Sequence, residues 1–110
     1  HIDLIKKFGH RPGKDLSEAY AALAETIARS GAAVELSTAG LRKPVGEPYP
    51  APALLQACCD RGVPLVISSD AHAPGEVGWG FEQARELALR TGFTHTLRFE
   101  GRRRRAEPLE

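Results

Sequence analysis

The chain has no methionine, two cysteines, a single tryptophan and no apolar run approaching the roughly 20 residues that a helical bilayer crossing requires. Each scarcity excludes something. With no such run and no charged-then-apolar leader, the expectation is a protein of the cytoplasm without membrane contact. The two thiols, Cys58 and Cys59, are adjacent in a helical pattern, where successive side chains diverge by about 100°. That arrangement excludes a disulfide between them and a C-x-x-C metal clip, so free thiols packed as small hydrophobes are expected. Charge of one sign is also lacking. Fifteen basic and 14 acidic residues leave a net charge of +1, so no global field draws the chain to nucleic acid or an anionic membrane. Arg102 to Arg105 form the one basic run, read as a solvated tail in preference to a nucleic-acid contact. A chain without methionine that opens on His1 reads as a cleaved or truncated piece, and 110 residues allow one modest core.

What is present alternates strand and helix. His1, Asp3 and Ile5 alternate with Ile2 and Leu4, as in a strand. Asp15 or Ser17 can cap a helix carrying Leu16, Tyr20, Leu23 and Ile27 at helical spacing, stopped by Gly31. Residues 32 to 37 form the next strand, followed by a Gly- and Pro-rich loop from Thr38 to Pro50. Pro52 opens a helix that Gly62 closes. A third strand covers Pro64 to Ser69, a helix with Phe81, Ala84, Leu87 and Ala88 ends at Gly92, and a last strand lies near His95 to Phe99. Repeated units of this kind predict an α/β fold with a parallel sheet and external helices.

The segment VPLVISSDAHAP, residues 63 to 74, is the most informative. Its apolar run predicts a strand covered on both faces, and Asp70 and His72 follow directly at its carboxyl end. Reactive groups of parallel α/β sheets gather at that end. A carboxylate with an imidazole suits Zn, Mn or Fe better than a dedicated Ca site. The competing reading is a capping Asp beside an exposed loop His. If Val34 and Leu36 face the helices, Glu35 and Ser37 point the other way, as His1 and Asp3 do opposite Ile2 and Leu4. Polar groups on an inward face fit less than half of a closed barrel of about 250 residues; a solvated edge strand is the alternative.

HIDLIKKFG, VELSTAGLRKPVGEPYPAP and SSDAHAPGEVGWGF resemble the carboxyl-terminal part of histidinol-phosphate phosphatases of the polymerase-and-histidinol-phosphatase (PHP) superfamily. The likeness runs through almost the whole chain and thins after Arg98; TAGLRKPVGEPYP is its most specific element. The resemblance implies that residues 1 to 110 are the carboxyl-terminal segment of one distorted parallel β/α barrel whose amino-terminal part is absent. It implies a cluster of Zn, Fe or Mn ions, with His1, Asp70 and His72 as metal ligands and Asp70 and His72 in the catalytic centre. The family's amino-terminal His-x-His motif and its further His and Glu ligands are not in this sequence.

The implied reaction is metal-dependent hydrolysis of L-histidinol phosphate in histidine biosynthesis, with the barrel complete and this chain inactive alone. A dianionic phosphate needs cations besides the metals, and Lys6 and Arg42 are the expected partners, Arg42 because a planar guanidinium grips two oxygens at once. Glu35 would repel phosphate and is assigned to the histidinol amine or imidazole. Lys7, Arg11 and Lys43 are read as solvated charges, His10 and His95 as surface or packing residues, and Trp79 as a loop anchor. The alternatives are a non-catalytic barrel fragment or interaction module, or another PHP-type phosphoesterase.

Overall fold

A computed structural model describes all residues from His1 to Glu110. Helix α1 covers Ser17–Ser30, strand β1 Val34–Ser37, helix α2 Pro52–Cys59, strand β2 Leu65–Ser68 and helix α3 Phe81–Thr91. Strands β3, His95–Glu100, and β4, Arg103–Pro108, complete the chain. β1 and β2 pair in parallel, Val34 opposite Leu65 and Ser37 opposite Ser68, while β3 and β4 form an antiparallel hairpin. The architecture is therefore mixed α/β with a short parallel sheet. These residues do not close a barrel.

Local chemistry explains the helix limits. Asp15 accepts hydrogen bonds from the Ser17 amide (2.9 Å) and hydroxyl (2.5 Å), which supplies an acceptor for an otherwise orphaned amide at the start of α1. Gly31 closes that helix in the left-handed region, φ 72°, which glycine enters without a Cβ penalty. Pro52 stands in the first turn of α2, where its missing N–H costs nothing.

The core lies between the helices and one face of the β1–β2 pair. Val34, Leu36 and Leu65 meet Leu54, Leu55 and Cys58 of α2, Ala24 of α1, and Ala84 and Ala88 of α3. The other sheet face is open: Glu35, Val66 and Ser68 are only half-buried. The expectation of a strand covered on both faces is corrected here, because the second face of β2 is only partly covered, with Val66 and Ser68 half-buried.

Two further expectations change. Residues 1 to 5 are not a strand; the chain turns, with Leu4–Lys6 in a 3-10 turn. The period-2 pattern was too short to distinguish a strand from a turn that pairs residues i and i+3, and the Asp3–Lys6 ion pair at 2.8 Å has that spacing. The arginine run is not a tail, because Arg102 to Arg105 turn into and form β4. Gly101 and Arg102 both have positive φ, 51° and 67°, as a two-residue hairpin turn of the right twist demands. The arginines stay exposed on an edge strand, where charge opposes pairing with other chains. Leu109, just beyond them, is buried in the core.

The loop from Thr38 to Pro50 folds back on β1: Ser37 and Tyr49 exchange backbone hydrogen bonds, 2.7 and 3.0 Å. Gly40 permits the fold-back, since a Cβ there would stand 2.0 Å from the Glu47 carbonyl oxygen and 3.2 Å from Tyr49 Cε2. Backbone cannot yield as a side chain can. Gly40→Ala is expected to cost about 1–3 kcal/mol, seen as a lower thermal midpoint; an unchanged midpoint would show that the loop can open at no cost.

Candidate active site

The carboxyl ends of β1 and β2 and the start of the chain converge on one cleft. His1, Leu4, Lys7, Ala39, Arg42, Lys43, Tyr49, Asp70, His72 and Glu76 line it, around a volume of about 360 Å³. The convergence of His1 with Asp70 and His72, expected across some seventy residues, is present.

The His1 ring lies between two carboxylates, with Nδ1 3.4 Å from Glu35 Oε2 and Nε2 3.2 Å from Asp70 Oδ2. Its rear face packs on Tyr49, ring centroids 4.7 Å apart. Tyr49 is itself 1% exposed, with burial first and the Asp3 charge second raising its phenol above the ordinary value. Glu35 is fixed in turn, because the Ser68 hydroxyl donates to Oε1 at 2.6 Å. Both Glu35 oxygens therefore have partners within the chain, so they orient His1 where a substrate amine had been expected.

Asp70 has left the β region. Its φ of 48° is left-handed, a conformation that Asp tolerates better than most residues and that turns its carboxylate toward His1. His72 follows with Nδ1 2.9 Å from the Asp70 carbonyl. In that arrangement Nδ1 carries the proton, leaving the Nε2 lone pair free.

The cations are distributed differently from the expected pattern. Lys6 is buried and absent from the cleft. Its ammonium meets the Pro48 carbonyl, Asp3 Oδ2 and Glu47 Oε1, each at 2.8 Å, so its three donors are all engaged. Lys7 and Lys43, read from sequence as solvated charges, both line the cleft, Lys43 exposed and Lys7 half-buried. Residues 4 to 6 turn, and Lys6 and Lys7 point in different directions. Arg42 is in the cleft, as expected. Its Nη2 donates to the Ser69 carbonyl at 2.9 Å and more weakly to that of Asp70 at 3.4 Å, and its buried Nη1 has no partner. The Trp79 carbonyl accepts from the Thr38 hydroxyl at 2.6 Å, while its ring, 40% exposed, lies 5.4 Å from the Arg42 guanidinium carbon.

Glu76 escaped the sequence reading. Its carboxylate accepts from the His72 amide at 2.8 Å and stands 3.5 Å from Arg42 Nη2. The His72 hydrogen bond first, and the Arg42 charge after it, hold its carboxyl below the ordinary range. The only signal was a Glu four residues after a loop histidine, which alone means little.

No three His, Cys, Asp or Glu side chains here form a complete metal-holding group. The donors fit part of one. Two ligand atoms each about 2.1 Å from one ion stand roughly 3.0–3.4 Å apart at octahedral or tetrahedral angles, and His1 Nε2 and Asp70 Oδ2 are 3.2 Å apart. Both histidines also have Nδ1 against an oxygen, the arrangement that orients metal-bound imidazoles.

Comparison with known proteins makes the chain a relative of curated phosphatases. It is 49% identical over 100 residues to a probable histidinol-phosphatase of Deinococcus radiodurans, covering 89% of this chain and 37% of that protein. It is also 29% identical over 101 residues to a probable histidinol-phosphatase of Schizosaccharomyces pombe, covering 86% of this chain and 33% of that one. With the histidinol-phosphatase of Bacillus subtilis it shares 33% identity over 87 residues, 74% of this chain and 32% of the other. The chain thus spans about a third of the length of the relatives it matches. No family model matches it. No helix is long and apolar enough to cross a membrane.

Proposed function

We propose that these residues form the carboxyl-terminal segment of a PHP-type barrel that hydrolyses L-histidinol phosphate to L-histidinol and phosphate in the cytoplasm, with divalent metal. The observation that carries the reading is the His1–Asp70 pair, its donor atoms at the separation of two ligands on one ion, with His1 set from behind by Glu35. The sequence likeness to histidinol-phosphatases supports the substrate. Ile5 and Phe8, 85% and 71% exposed, and the partly uncovered sheet face support a missing complement.

In this reading His1, Asp70 and His72 hold metal of the Zn, Fe or Mn type, and the remaining ligands come from the rest of the barrel. A bound divalent ion supplies Lewis acidity and lowers the pKa of bound water toward neutrality. Glu35 keeps the His1 proton on Nδ1 and so presents the Nε2 lone pair to the cleft. Lys7 and Lys43 at the rim attract the phosphate dianion. Arg42 lines the cleft with Nη2 held on the backbone carbonyls and adds a fixed positive charge on the phosphate side. The Tyr49 ring excludes water from the rear of His1.

Phosphate release from L-histidinol phosphate, measured on the complete protein with Mn²⁺, Zn²⁺ or Fe²⁺ and after chelation, tests the proposal. Turnover that chelation abolishes and metal restores is expected, with none from residues 1–110 alone. Chelator-resistant activity, or activity of the isolated 110 residues, would refute it.

A further inference from the structure

The turn that carries Asp70 and His72 stands apart from regular structure. Asp70 is left-handed, and residues 69 to 73 lie between the end of β2 and a 3-10 turn at Pro74–Glu76. Such a segment needs external partners to hold one geometry. Three contacts supply them: Glu76 on the His72 amide (2.8 Å), Arg42 on the Ser69 carbonyl (2.9 Å) and the Gly78 amide on Ser69 Oγ (3.2 Å), while within the turn His72 Nδ1 meets the Asp70 carbonyl (2.9 Å). Glu76 also lies within 3.5 Å of Arg42, so it touches the turn directly and through its other brace.

We infer that Glu76 is a positioning residue: its carboxylate braces the Asp70–His72 turn through the His72 amide and through Arg42, fixing the two donors without touching substrate. This role rests on the metal-site reading above. A charged acceptor on a backbone amide is worth more than a neutral one, and a ligand pair is only as well placed as the groups behind it. Glu76 is poorly suited to the two obvious alternatives. A carboxylate repels the phosphate dianion, and its Oε2 is already committed to the His72 amide and the Arg42 guanidinium.

The test compares Glu76→Ala and Glu76→Gln in the complete protein. Glu76→Gln keeps an acceptor for the His72 amide and loses the charge. Glu76→Ala is expected to speed hydrogen exchange of the His72 amide roughly 10-fold, while amides in the α2 core keep their protection. It should weaken Mn²⁺ binding by about 10–100-fold and lower kcat with KM for L-histidinol phosphate within about twofold, and Glu76→Gln should recover most of both losses. Unchanged His72 exchange and Mn²⁺ affinity in Glu76→Ala would overturn the inference. So would a KM raised about 10-fold at constant kcat, the mark of direct substrate contact. A wild-type protein without phosphatase activity would sink the proposed function alone, since the exchange measurement still decides whether Glu76 braces the turn.

Discussion

Asp70→Asn in the complete enzyme is expected to lose at least about 100-fold in turnover, with bound metal reduced and the fold retained. Asn keeps the size of the side chain and is one of the few residues at ease in the left-handed region, so φ 48° does not confound the result. What it removes is the anionic oxygen 3.2 Å from His1 Nε2. His72→Ala should lose turnover similarly, since it deletes the Nε2 that the Asp70 carbonyl leaves free. Kinetics on L-histidinol phosphate, elemental analysis of bound metal and a thermal melt form the check. Near-normal turnover with full metal content in either variant would remove that residue from the site.

The second large effect is expected at Lys6, and in stability. Its side chain is 6% exposed, against 12% for Asp3 and 22% for Glu47, so Lys6→Met leaves the Asp3 carboxylate without its cation and Glu47 with Arg11 alone. Breaking a buried pair from one side costs about 3–5 kcal/mol, which should lower the thermal midpoint by roughly 10 °C or more. The pH profile should move as well. Burial alone would raise the Glu47 carboxyl, but hydrogen bonds and charges from Lys6 and Arg11 outweigh it and hold the pKa below the ordinary value. A depressed carboxyl contributes stability that is complete above its unfolded value, about 4.3, and is lost as pH falls through the lower folded one. Without Lys6 the folded pKa moves back up toward the unfolded one, so the stability lost on acidification should shrink and the deficit of the variant should be largest near neutral pH. A phosphate ligand would behave in the opposite way, raising KM on substitution and leaving the melt unchanged.

The sequence revealed the elements with a strong period or a clear stop, and it failed where two periods fit the same few residues. α1, α2 and α3 were legible because Gly31, Gly62 and Gly92 follow apolar residues at helical spacing and Pro52 marks a first turn. β2 and its trailing Asp70 and His72 were legible from a β-branched run ending in polar groups. The start of the chain was misread, since five alternating residues carry no evidence against a turn, and the burial of Lys6 against Asp3 and Glu47 was missed with it. β4 was hidden for a different reason. Its alternation is Arg, Arg, Arg, Ala, Glu, Pro, with no apolar face to betray it, and Gly-Arg is not a dipeptide that announces a hairpin. The brace at Glu76 and the orientation of His1 by Glu35 depend on distances between distant segments, which spacing along one chain does not encode.

The burial of Leu109 bears on biosynthesis. This side chain completes a cluster whose other members begin at Ala24, so the cluster joins residues separated by most of the chain. A ribosome delivers those parts in order, and the earlier ones wait, apolar surfaces uncovered, until the β3–β4 hairpin has emerged and brought residue 109 back beside them. That interval is when the nascent protein is most exposed to chaperones and to misassembly with its neighbours.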